Sequence, residues 1–156
     1  MSNFQEAKTV MIEDTRLLFR NFAGAEGQFN RAGDRNFCAV LTPEVADEMV
    51  KDGWNVHFLK AREEGDEEVP YISVAVSFKI RPPRVVMMTS RARTNLDEET
   101  VEVLDWANIQ TADLIFRAYE WTVNGKSGIK AYLQSLFVTI EEDALERKYA
   151  INEVGE

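Results

Sequence analysis

The sequence predicts a mainly β fold: an OB-fold-like antiparallel β-barrel with one or two short helices and an acidic C-terminal tail. Three observations carry that expectation. Period-two alternation of apolar and polar residues dominates the chain, glycine and proline interrupt it at short intervals, and only one stretch holds a full set of helix signals. Alternation places one face of a strand on a core and the other in water. Partial closure into a barrel is the usual remedy for exposed sheet edges, although the strand count also suits an immunoglobulin-like sandwich.

The first strand is expected over about residues 9 to 22, long enough to bend, with Leu17 and Phe19 on one face and Arg16, Arg20 and Phe22 on the other. A glycine-rich loop over 23 to 34 follows, then a strand over 35 to 41. Thr42 and Pro43 open a short helix as N-cap and first helical residue, with Ala46, Met49 and Val50 as its apolar side and Gly53 as its stop. WNVHFLK, residues 54 to 60, reads as a strand.

The clearest alternation is YISVAVSFKI, residues 71 to 80, with Ile72, Val74, Val76, Phe78 and Ile80 turned to the core. Pro82 and Pro83 end it, since neither can donate to a ladder, and RVVMMTS begins the next strand at residue 84. A short acidic helix is expected over 97 to 104 with Val101 and Leu104 inward, its acids near the positive end of the dipole. The chain closes with a hairpin, residues 113 to 123 and 129 to 140, joined by Asn124-Gly125-Lys126-Ser127-Gly128. One domain over residues 1 to 140 and a tail over 141 to 156 is the resulting organisation.

A formal net charge of -9 argues against nucleic acid, but the layout of the charge says otherwise. From Val69 to Leu96 the chain holds Lys79, Arg81, Arg84, Arg91 and Arg93 and no acid. The acids gather in residues 61 to 69, in 97 to 105, and from Glu141 onward, where six face only Arg147 and Lys148. Such runs read as solvated, mutually repelling segments. A single Cys38 precludes an internal disulfide, and with the single His57 it cannot make a four-ligand zinc site. No metal or cofactor is expected. Neither a signal peptide nor a run of roughly 18 apolar residues is visible, so the expectation is a soluble cytoplasmic protein with no membrane partner.

Gly125-Lys126-Ser127 suggests a phosphate-binding P-loop, but the earlier glycine of that motif falls on Glu120 and a strand follows instead of a helix. A hairpin turn with Lys126 exposed is the better reading. His57 alternates with Val56 and Phe58 and reads as structural. With no nucleophile paired to a base, the chain is not expected to be an enzyme.

Aromatic and basic side chains interleaved on wet strand faces remain. Arg117, Tyr119 and Trp121 project to one face of their strand, and Lys130, Tyr132 and Gln134 can share it from the partner. Aromatic platforms stack any base while Lys and Arg follow the phosphates, so such a face binds single strands without reading sequence. In FRNFAGAEGQFNRAGDRNF, residues 19 to 37, Phe19 and Phe37 are expected in the core with Trp54, since large apolar residues mostly sit inside. Arg20, Phe22, Phe29, Arg31 and Arg35 are expected at the binding surface, with Tyr71 and the basic Lys79, Arg81 and Arg84.

FRNFAGAEGQFNRAGDRNFCAVL, then DGWNV, the RPPRV turn, LDWANI and the hairpin YEWTVNGKSGIKAYLQSLFVTIEED together resemble a family of bacteriophage single-stranded-DNA-binding proteins, over residues 10 to 145. The resemblance implies an OB-type barrel that coats single-stranded DNA in phage replication or recombination inside the host cell. It implies an acidic tail that recruits replication or recombination proteins. The binding surface it implies is Arg20, Phe22, Phe29, Arg31 and Arg35 with Tyr119, Trp121, Lys126, Lys130 and Tyr132. The ending Asn152 to Glu156 lacks the aromatic that closes many such tails, which weakens the recruiting role. Self-association stays open. The competing readings are a virion or assembly β-protein whose aromatics are subunit contacts, and a magnesium-dependent nuclease using Asp and Glu.

Overall fold

A computed structural model of the chain describes residues 8–28, 30–60, 67–79, 81–89 and 92–141. The strand expected over 9 to 22 is two strands separated by Arg16: β1 (Thr9–Thr15) and β2 (Leu17–Asn21). β1 pairs antiparallel with β8 (Ile109–Val123), whereas β2 pairs antiparallel with β3 (Arg35–Val40). Between those partners run β9 (Lys126–Ile140) and β5 (Val69–Val76), giving the order β1-β8-β9-β5-β3-β2. The two ends of that order are the two halves of one bent segment, so the sheet curls back on itself in an OB-like manner.

Two left-handed residues produce the bend. Asp14 has φ 52 and Phe19 has φ 50, and the strand registers shift between Ile12 and Thr15 and between Leu18 and Asn21. Aspartate tolerates this conformation, and the Asp14 amide donates to Asp113 Oδ1 at 2.7 Å. Phenylalanine tolerates it poorly.

The bend also overturns an expectation about faces. A positive φ resets the alternation, so Phe22 is turned inward and fully buried, its ring stacked on Phe37 at 5.1 Å, while Phe19 stands 61% exposed. Phe22 is therefore a core residue with no ring face to offer a ligand, and Phe19 is not one. Phe37 and Trp54 are buried as expected, Trp54 meeting Phe116 edge-on at 5.4 Å. Leu114, Leu133, Leu136 and Val74 fill the same interior. Each such side chain contributes roughly 1.5–3 kcal/mol of hydrophobic stabilisation.

The helix α1 (Pro43–Lys51) follows its signals closely. Thr42 accepts from the Val45 amide at 3.2 Å, and Gly53 at φ 95 ends the run. Ala46 and Met49 are buried, but Val50 is half exposed and not part of the apolar face. β4 (Val56–Leu59) pairs with β5, and β6 (Arg84–Met88) pairs with β9. β5 stops at Val76, short of the expected residue 80, and Phe78 is only half-buried.

β7 (Arg93–Leu96) was not foreseen, since RTNL has no apolar alternation; it is a strand because β6 offers it a ladder. The acidic helix is a shorter 3-10 helix, Val101–Asp105, with Val101 and Leu104 buried as expected. Residues 97–100 are a turn instead, in which Asp97 Oδ1 accepts from the Glu99 and Thr100 amides and from the Thr100 hydroxyl, all at 3.0 Å. The Thr100 hydroxyl above all, with these amides, holds the Asp97 carboxyl below its usual range. The hairpin turn is tighter than expected, with Asn124 at φ 52 and Gly125 at φ 78 and Lys126 already in β9. The acidic segment expected over 141 to 156 lies outside the described residues apart from Glu141.

Candidate nucleic-acid interface

A groove of about 670 Å³ crosses the outer face of the curled sheet. Five parts of the chain line it: the end of the glycine-rich loop and the start of β3, the connection from α1 into β4 as far as His57, β5 from Ile72 continuing to Lys79, Glu98, and the hairpin of β8 and β9.

The hairpin wall is set by register. Arg117 lies opposite Tyr132, Tyr119 opposite Lys130, and Trp121 opposite Gly128, which puts all of these side chains on one face; Trp121, Lys130 and Tyr132 line the groove, and Arg117 and Tyr119 stand on the same face beside it. Gln134 falls at the register shift and is not part of the paired face. Tyr119 meets Tyr132 edge-on at 5.8 Å, and the Lys130 ammonium sits 5.2 Å over the Tyr132 ring. Trp121 lies across its partner strand: a Cβ added at Gly128 would come within 2.7 Å of Trp121 Cζ2. Only glycine leaves room for the indole there.

The opposite wall holds Arg35. Its guanidinium stands 3.6 Å from the Glu98 carboxylate, donates to the Glu98 carbonyl at 3.4 Å and lies 5.7 Å from the Phe78 ring. Its Nε is buried with no hydrogen-bond partner. With Lys79 and Lys130 it gives the groove three bases against two acids, Asp34 and Glu98. The groove is thus locally positive in a chain of net charge -9.

Other expected residues are used elsewhere. Arg20 donates from one Nη to the carbonyls of Leu104 and Ala107, both at 2.7 Å, and so ties β2 to the 3-10 helix. Asp105 completes that junction by accepting from the amides of Phe22 and Ala23 at 2.7 and 3.0 Å. An acid expected to be solvated is a structural acceptor here. Arg84 lies 5.3 Å over Phe137 and does not line the groove. Arg31, Arg81 and Lys126 are exposed outside it, and Phe29 lies outside the described residues. Tyr71 stacks on His57 at 5.4 Å, at the groove's edge. His57 is an exposed residue of β4.

The glycine-rich loop is fastened by its own asparagines. Asn21 and Asn30 both bond the Ala25 carbonyl, at 3.0 and 2.8 Å, and the Gly33 amide donates to Gly24 at 2.8 Å. Gly24, at φ 70, lies so close to Gly33 that a Cβ would be 3.0 Å from its carbonyl carbon. Beside the groove, burial raises the Cys38 thiol despite its hydrogen bond with Ser73, so it stays protonated and a poor nucleophile. No three His, Cys, Asp or Glu side chains converge on a metal position among the described residues, and no helix among them is long and apolar enough to cross a membrane.

Over residues 1–156 the sequence matches the family described as "Putative phage ssDNA-binding domain". No curated protein matches it by sequence. Among solved structures, the C-terminally truncated single-stranded DNA-binding protein from bacteriophage Enc34 superposes with a TM-score of 0.56 at 11% identity, covering 86% of this chain and 87% of that one. The Enc34 protein without that truncation gives 0.54 at 10% identity, covering 86% and 82%. These likenesses support the fold.

Proposed function

The chain belongs to the phage ssDNA-binding domain family, and on that premise we propose that it coats single-stranded DNA during phage replication or recombination, holding it in the groove between Arg35 and the hairpin. The observation that carries this reading is Trp121 laid flat over Gly128, beside Tyr132 and Lys130 on one wall of a locally basic groove. Bases stack on Trp121, Tyr119 and Tyr132 at about 1–3 kcal/mol each, and Arg35, Lys79 and Lys130 neutralise phosphates. Stacking uses π faces that every base has, so the binding is tolerant of sequence. The protein acts by binding and not by catalysis, in the host cytoplasm where the phage DNA is copied.

Residues 1–140 form the binding domain. The acid-rich sequence from Glu141 onward recruits replication partners or competes with DNA for the basic groove. Titrating the protein with oligo-dT at several salt concentrations tests the reading. Three neutralised phosphates give a slope of log affinity against log salt of about -2. Absence of binding at low salt, or affinity indifferent to salt, would refute it.

A further inference from the structure

Phe19, Tyr71 and His57 form a second aromatic surface beside the groove. The Phe19 and Tyr71 rings are 5.7 Å apart and tilted by 60°, and Tyr71 and His57 are 5.4 Å apart and within 22° of parallel. The three come from β2, β5 and β4, with His57 directly opposite Tyr71 in the register. Tyr71 shares the outward face of β5 with Ser73 and Ala75, which line the groove, as His57 does. The ladder therefore continues the groove surface and is not a separate patch.

Its outer member is held outward by the backbone. Phe19 takes φ 50, a conformation sparsely populated by residues other than glycine, at the shift in register between β2 and β3. That shift exposes 61% of a large apolar residue that regular alternation would have turned toward the core. Strained backbone that survives because its surroundings enforce it clusters where ligands bind.

We propose that this ladder is a second stacking subsite for single-stranded DNA, extending the track from the hairpin across β5 and β4 to Phe19. The inference rests on the reading of the groove as the DNA site and adds its direction and length. The nearby Arg20 is occupied by the carbonyls of Leu104 and Ala107, so the subsite supplies base stacking with little phosphate neutralisation. Long strands use the groove and the ladder, and short ones the groove alone.

The test compares Phe19→Ala with wild type on a dT oligomer of about 4 nucleotides and one of about 16, the span of site sizes for such folds. The expected result is a loss of about tenfold on the long oligomer, the size of one lost stack, and less than twofold on the short one, with an unchanged salt slope. Phe19→Leu keeps apolar bulk without a π face and should lose the same increment, whereas Phe19→Trp should retain it; both keep the experiment informative if the alanine variant folds poorly. Equal losses on both oligomers, or none on the long one, would overturn the inference and leave the groove standing. Wild type binding neither oligomer would sink the groove reading and the ladder together. A change in sedimentation from oligomer to monomer with long-strand affinity intact would make the ladder a contact between copies of this chain, and would also overturn it.

Discussion

The segment from Phe19 to Phe37 and the hairpin from Arg117 to Tyr132 carry the same residue types, and the fold uses them in opposite ways. In the first, Phe22 and Phe37 stack in the interior, Arg20 is consumed by two carbonyls, and Arg35 is the only described aromatic or basic residue that lines the groove. In the second, Arg117, Tyr119, Trp121, Lys130 and Tyr132 all share one outward face. Aromatic and basic composition is therefore no sufficient sign of a binding surface. Regular pairing is what keeps the residues outside.

The largest expected effect breaks the comparison at Phe22. Phe22→Ala should destabilise the fold by about 3–5 kcal/mol, as removal of a buried ring does, and thermal unfolding will show it. Trp121→Ala should leave the melting temperature nearly unchanged and weaken oligo-dT binding by about 1–3 kcal/mol, read by anisotropy. A Phe22 variant that melts like wild type would reverse the assignment of the two regions.

Gly128→Ala sharpens the hairpin side. The added methyl has no room beneath the indole, so Trp121 must lift away and affinity should fall toward that of Trp121→Ala without a matching loss of stability. The arginines form the next pair. Arg35→Ala should reduce the salt slope by about 0.7, one phosphate contact, whereas Arg20→Ala should keep the slope and cost about 1.5–3 kcal/mol of stability from its charged hydrogen bonds.

The smallest effect concerns Asp97, whose carboxyl is held low chiefly by the Thr100 hydroxyl. A depressed carboxyl contributes stability that is present above its unfolded value near 3.9 and lost as pH falls through the folded value. Asp97→Asn should thus reduce the acid-induced loss of stability below about pH 4, seen in melts at successive pH values.

The same contrast shows what the sequence made legible. The hairpin face was readable because fifteen-residue strands in long antiparallel register obey alternation, and α1 because Thr42, Pro43 and Gly53 act locally. The faces of β2 were not, because a left-handed Phe19 leaves no mark in composition and resets which residues point inward. The role of Arg20 was hidden for a different reason: its acceptors are backbone carbonyls 84 and 87 residues away. The stacking of His57 on Tyr71 was not legible because the two are neighbours only through strand pairing. The OB-like class survived these errors, since it depends on the number and pattern of strands and not on any one face.

The three tryptophans allow the central claim to be tested at one position. Trp54 is buried, Trp106 is 73% exposed outside the groove, and Trp121 is 38% exposed within it. Oligo-dT titrations followed by tryptophan fluorescence should show quenching in wild type and in Trp106→Phe, and lose most of it in Trp121→Phe. Quenching that persists in Trp121→Phe and vanishes in Trp106→Phe would place the DNA on another face and contradict the account.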